Sequence, residues 1–207
     1  MQRLVRCLVI RGDLTRIDAY LLEKGIEPTV GILLLKQAIL GVAQTRELEL
    51  ESRSLYQKHR HLSDHFRVVS KEAEFFQYLR NKMVGHIKAD LVEKTLEWKP
   101  ETVVMLSKDS DLMQTYLLNF FVLETAINTY VDGDGKHKAF ESETDLGYPP
   151  DFQRFMQSLT RTVQGCVKFL TELEAVLRIE VPVPAFDPSD MTPWMKAGQT
   201  DFNFIKK

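Results

Sequence analysis

Cysteine is nearly absent from these 207 residues: Cys7 and Cys166 are the only two, each among apolar neighbours and in no metal or redox spacing. That excludes a disulfide-stapled scaffold and a thiolate metal centre, and predicts two buried free thiols. Long apolar runs are missing as well. The stretches around residues 32–35 and 117–123 fall far short of the roughly 20 residues that a bilayer-spanning helix needs. Arg11 and Asp13 interrupt the short apolar stretch near the start, so no signal peptide is expected and the expected compartment is the cytosol. Nor is there an excess of one charge. With 27 Lys and Arg against 29 Asp and Glu, the formal net charge is −2, which gives no chain-wide nucleic-acid footprint. No glycine-rich phosphate loop, nucleophile elbow, Cys–His pairing, internal repeat or strand pattern occurs. No cofactor is therefore expected.

What is present is a globular composition, 44% hydrophobic and 27% charged, arranged with helical periodicity. A first helix is expected from about Gln2 to Lys24, stopping at Gly25. A second opens at Pro28 and Thr29 and continues to about His65, its first half apolar on most faces and its second half polar. Ser70 then offers an N-cap, with Glu72 and Glu74 in the first turn. The third helix carries Phe75, Phe76, Leu79, Met83, Ile87 and Leu91 at three- and four-residue steps and ends near Trp98 and Pro100. A linking segment at 101–107 leads to a fourth helix from about Asp109 to Tyr130. A loop at 131–150 precedes a fifth from about Asp151 to Arg178. Beyond Glu180, four prolines predict an extended tail whose Phe186 and Trp194 are available for docking. The expectation is an all-α fold, a bundle of about five helices over residues 1–179, with an extended Pro-rich tail at 180–207.

Charge is uneven along the chain. Residues 53–88 hold eight Lys or Arg against three Asp or Glu, whereas residues 89–151 hold five against thirteen. Such polarity steers an anionic partner, pairs two protomers, or merely marks two solvated faces of opposite sign. His59, His61, His65 and His86 all fall in the basic stretch. His61 and His65 share a helical face, but no second cluster completes a metal site, so no metal is expected. With Lys58, Arg60 and Arg67 the histidines instead suggest a phosphate-binding surface. The segment from Asp132 to Glu141 has the look of a calcium loop but lacks its third oxygen ligand and its turn glycine, so a plain turn is expected.

One motif stands out: Arg80, Asn81 and Lys82 are followed by Gly85 and His86, after the aromatic lead-in Phe75, Phe76 and Tyr78. These residues resemble the HEPN domain family, in particular the variety found in abortive-infection and toxin-type proteins. Members carry an arginine, usually followed by a polar residue, and a histidine a few residues on. The resemblance rests on about ten residues within an all-helical frame and implies a metal-independent endoribonuclease or an RNA-binding relative of one. RNA carries its own nucleophile, the 2′-hydroxyl, so such a site needs only proton transfer and charge stabilisation. His86 suits the first, and the planar fork of Arg80 suits the second. Asn81 can orient either the imidazole or the phosphate, and Lys82, Arg60 and Arg67 can add phosphate contacts. The product implied by the resemblance is a 2′,3′-cyclic phosphate.

On a continuous α-helix, six residues turn through about 600°, leaving Arg80 and His86 roughly 120° apart. The family resolves this with a two-fold dimer that gathers both motifs into one cleft, so a homodimer is implied, with an antitoxin or other protein as a further partner. Two alternatives belong to other classes. One is a non-catalytic interaction module that uses the acidic half and the tail. The other is a helical domain that senses nucleotides or phosphate-bearing ligands through the basic region.

Overall fold

The computed structural model describes residues 1–27, 30–107, 111–182 and 187–199. Among these residues the chain forms nine α-helices, one 3₁₀ turn and one π turn, and no strand beyond a single antiparallel bridge between Val131 and His137. The all-α class therefore holds, but the helices are more numerous and shorter than periodicity predicts.

Helix α1, Gln2–Lys24, ends where expected, at Gly25 with φ 68°. That is a left-handed position in which a side chain would be strained. Helix α2, Gly31–Ser52, is the central rod and packs against α1, the helix at residues 70–79 and the long helix at 149–180. Its Leu35, Ala38, Ile39, Val42, Ala43 and Leu48 are fully buried. Pro28 and Thr29, expected to open it, lie outside the described residues. The continuation to His65 does not occur. Glu49 accepts hydrogen bonds from Arg53 Nε (2.9 Å) and Tyr56 Oη (2.8 Å), drawing the 3₁₀ turn Arg53–Gln57 back over the end of α2. A separate α3, His61–Arg67, then packs on the long helix.

The third expected helix is also broken. Helix α4, Ser70–Leu79, runs into the π turn Arg80–Val84, and α5 begins only at Ala89 and ends at Trp98. Two local causes are visible. Gly85 has low helix propensity, and Lys88 takes extended backbone (φ −70°, ψ 137°), incompatible with a helix passing through it. The apolar stripe survives the break at Phe75, Phe76, Leu79, Met83 and Leu91, all buried, while Ile87 is exposed. Ser70 lies inside the first turn, and its hydroxyl donates to the Arg67 carbonyl instead of capping the helix.

A short helix α6, Glu101–Leu106, replaces the expected linker. Helix α7, Leu112–Asn128, is capped by the Asp111 carboxylate, which accepts from Gln114 N (2.6 Å). Helix α8, Pro149–Glu180, closes the bundle with Pro149 at its first turn, where a missing N–H costs nothing. Within the tail, α9, Thr192–Gly198, forms despite the prolines because Pro193 sits in the first turn. Its Trp194 stays exposed, and Phe186 lies outside the described residues. Cys7 and Cys166 are buried free thiols, both pushed up to about 12 by burial. Among the described residues no helix is long and apolar enough to cross a membrane.

Candidate functional site

The π turn lies where α4 leaves the core, and it holds two of the three motif residues. Its widened loop is closed by Gly85 N donating to the Arg80 carbonyl (2.9 Å), five residues apart instead of four. Leu79 and Met83 anchor it from below, both buried in the hydrophobic core. Above that anchor, Arg80 is half-buried and Asn81 and His86 are exposed.

Arg80 Nη1 donates to Asn81 Oδ1 (3.0 Å), and Gln77 Nε2 donates to the same oxygen (3.3 Å). Asn81 therefore orients the arginine rather than the imidazole. Both donors fix the amide with its oxygen toward Arg80, so its NH₂ end faces away. Arg80 Nε is buried without a partner among the described residues, leaving Nη2 as the free end of the guanidinium. With Nη1 engaged by Asn81 and Nε buried, the Arg80 fork alone does not present two free donors to a phosphate in this conformation. What the pair offers is a donor on each residue, Arg80 Nη2 and Asn81 Nδ2.

Because the helix stops before His86, the 120° separation expected on a continuous helix does not apply. The guanidinium folds back over Gly85: an ideal Cβ built there would sit 3.8 Å from Arg80 Nε and 3.9 Å from Cζ. The residue before His86 thus underlies the Arg80 side chain within a single chain. His86 makes no hydrogen bond to a described residue. Asp90, its expected neighbour on a continuous helix, pairs instead with Lys82 Nζ (3.1 Å), and that hydrogen bond holds the Asp90 carboxyl below its ordinary range. Lys82 is in this way partly neutralised.

Arg60 and Arg67 do not join the motif. Arg67 precedes α4 and pairs with Asp64 (3.1 Å), and the ten residues of α4 put about 15 Å between it and Arg80. Arg60 is exposed beside α3, on the same side as Arg67. His59 contacts Glu180 (3.2 Å), and the rings of His61 and His65 stand 6.3 Å apart at right angles. No group of three or more potential ligands able to hold a metal ion occurs among the described residues. Asp132 Oδ1 accepts from Asp134 N (3.0 Å) and Lys136 N (2.9 Å), so the calcium-like segment is a self-satisfied turn.

Sequence reasoning missed a second feature. A groove of about 510 Å³ opens between the N-terminal half of α4, the loop after α7 and α8. Its floor is aromatic, with Tyr130 and Phe140 partly exposed and Phe75 beneath them at centroid distances of 5.2 and 5.6 Å. Its rim is ionic, with Lys71, Lys138, Arg154 and Arg161 among carboxylates Glu72 and Glu74. The wall that carries Lys138 and Phe140 is held by His137, whose Nε2 contacts the Ile127 carbonyl (2.9 Å) while Nδ1 accepts from Ala139 N (3.1 Å) and Phe140 N (2.9 Å). Burial, aided by nearby Arg154, lowers the His137 pKa. The sequence signal was the aromatic spacing around the chain reversal at 131–140, which is legible only once α8 is known to face it.

No family model, no curated protein and no solved structure matches this chain.

Proposed function

We propose that this chain is a HEPN-like helical domain that binds and cleaves RNA at the π turn, with no metal. The observation that carries the proposal is the corner formed by Arg80, Asn81 and the Gly85–His86 step. An unpartnered, exposed imidazole follows directly on the residue over which a pre-oriented guanidinium lies. Helices rarely carry π turns, and where they do the turn frequently serves a site. Here it costs regular hydrogen bonding in return for an arginine held by Asn81, whose amide oxygen Gln77 fixes in turn. In the proposed roles, Arg80 Nη2 and Asn81 Nδ2 donate to the non-bridging phosphate oxygens and stabilise the phosphorane charge. His86 exchanges the proton of the 2′-hydroxyl or the leaving 5′-oxygen.

Purified protein is expected to cut single-stranded RNA in excess EDTA and to leave 2′,3′-cyclic phosphate ends. His86→Ala is expected to lower the rate by about 10²–10⁴-fold. Arg80→Ala should do likewise, with helical circular dichroism unchanged in both. Cleavage that persists in both variants refutes the assignment.

The resemblance also implies a homodimer, and a defence or toxin–antitoxin role with it. Support for self-association comes from the apolar side chains that α5, α6 and the start of α7 leave exposed, among them Trp98, Val103, Val104, Leu106 and Leu112. Sedimentation equilibrium should give twice the chain mass, and Val104→Glu should halve it. If Val104→Glu also leaves cleavage intact, the apolar face instead serves a non-catalytic protein contact.

A further inference from the structure

We infer that the groove beside α4 is a single-stranded RNA track, which receives unstacked bases of the strand whose phosphate is handled at the π turn. The inference rests on the RNA-handling role just proposed and assigns that site its neighbouring subsite.

The connection is physical. From the π turn, Lys82 Nζ lies 6.0 Å from the centre of the Tyr78 ring, and Tyr78 meets Tyr130 at 4.8 Å. Tyr130 meets Phe75 at 5.2 Å, and Phe75 meets Phe140 at 5.6 Å. A chain of ring contacts, with Phe75 buried at its centre, therefore joins the motif's helix to the groove, where Tyr130 and Phe140 are the partly exposed rings. Cations stand over it along its length: Lys138 Nζ is 5.3 Å from the Tyr130 ring, and the Arg154 guanidinium is 5.0 Å from Phe140. Aromatic faces interleaved with cations are what binds single strands without sequence preference, each stacked base contributing roughly 1–3 kcal/mol.

The cations are also free to act. Lys71, Lys138 and Arg161 form no ion pair with a described residue, and the Arg161 side chain reaches only the Gln157 carbonyl of its own helix (3.3 Å). Arg154 differs. It is tied to Asp151, Ser142 and Thr144, so it braces the wall and is not a ligand contact. Glu72 and Glu74, which share α4 with Lys71, would repel a phosphate, so the backbone is expected to follow Lys71, Lys138 and Arg161, while the two carboxylates can accept from exocyclic base amines. A duplex, with its bases stacked inside, has nothing to lay on Tyr130 or Phe140.

The test uses the full chain carrying His86→Ala, which binds without cutting, and a fluorescein-labelled single-stranded oligoribonucleotide of about ten nucleotides. Lys138→Glu and Arg161→Glu, both at exposed positions, are each expected to weaken binding tenfold or more. Lys138→Ala should flatten the dependence of log K on log salt by about 0.7. In the cleaving protein the same substitutions should raise KM and leave kcat at saturating RNA unchanged. Unlabelled duplex of the same sequence should compete poorly. Binding unaltered by both charge reversals, equal competition by duplex, or no binding at all overturns the inference. If the unsubstituted protein fails to cleave while groove variants lose binding, the catalytic assignment falls and the groove stands. If cleavage depends on Arg80 and His86 but binding ignores Lys138 and Arg161, the reverse holds.

Discussion

Lowering the pH should loosen the groove before it unfolds the protein, and His137 is the reason. Its ring uses both nitrogens in one fixed arrangement: Nε2–H donates to the Ile127 carbonyl, and a lone pair on Nδ1 accepts from two backbone N–H groups, Ala139 and Phe140. Only the neutral tautomer can do this. Protonation at Nδ1 sets a donor against two donors, and burial together with Arg154 opposes the charge, so the folded-state pKa lies below the ordinary histidine value of 6.5. The sign follows directly. In the unfolded chain His137 takes up a proton at higher pH than in the folded one. Its stabilising contribution is therefore complete above about pH 6.5 and is lost as pH falls through the folded pKa. Two orphaned N–H groups in a half-exposed loop cost about 1–2 kcal/mol, at the low end of the range for buried donors. For a chain of this size that is a fall of roughly 2–4 °C in Tm per kcal/mol. Thermal melts from neutral to mildly acid pH should show that fall, and His137→Ala should lower Tm at neutral pH and flatten the acid limb. A ¹H–¹⁵N titration should place the His137 midpoint below 6.5. A midpoint at or above 6.5 would refute the tautomer argument.

Other substitutions test the packing that carries the site. A Cβ on Gly165 would come 2.3 Å from Val69 Cγ1 at the junction of α3 and α4 with α8, so Gly165→Ala should destabilise by about 1–3 kcal/mol in chemical denaturation despite its better helix propensity. Val69→Ala in the same chain should return part of that loss. Glu124 is buried, pairs with Lys99 and accepts from Leu146 N (2.9 Å), so Glu124→Leu should leave both groups unpaired and cost about 3–5 kcal/mol, read in the same assay. Thiol-reactive dye should label neither Cys7 nor Cys166 in the native protein at pH 8 and should label both in denaturant, because each thiol is buried with its pKa near 12.

Where one helix obeyed one strong local signal, the sequence was sufficient. Gly25 stops α1 through its φ of 68°, and the apolar run after Gly31 makes α2 a buried rod. Periodicity failed where the stripe continued but the backbone did not. Phe75 to Leu91 keep a helical rhythm across a π turn and an extended Lys88, since burial of Met83 and Leu91 is compatible with two helices meeting at an angle. The end of α2 was hidden for a different reason. Its stop is imposed by Glu49 gathering Arg53 and Tyr56, a side-chain arrangement with no breaker residue. Arg80, Asn81 and His86 were visible as a pattern of residue types. Their geometry was not, because it depends on the helix ending between them.

The charge asymmetry shows how linear counting misleads. The basic excess of residues 53–88 is partly taken up by acids from elsewhere: Arg53 by Glu49, Lys58 by Glu180 and Lys82 by Asp90, with Arg67 paired locally to Asp64. Arg60, Lys71, Arg80 and Lys88 remain without an ion pair among the described residues, and they are spread over both ends of α4. The other cations that line the groove, Lys138, Arg154 and Arg161, come from outside that basic segment, and Lys138 comes from its acidic neighbour. A partner that bound the basic stretch as such would lose affinity with each of Arg53, Lys58 and Arg67 removed. One that follows the rings from Tyr78 to Phe140 would ignore those three and respond to Lys138 and Arg161. Neutralising the two sets separately therefore distinguishes attraction by composition from recognition by a folded surface.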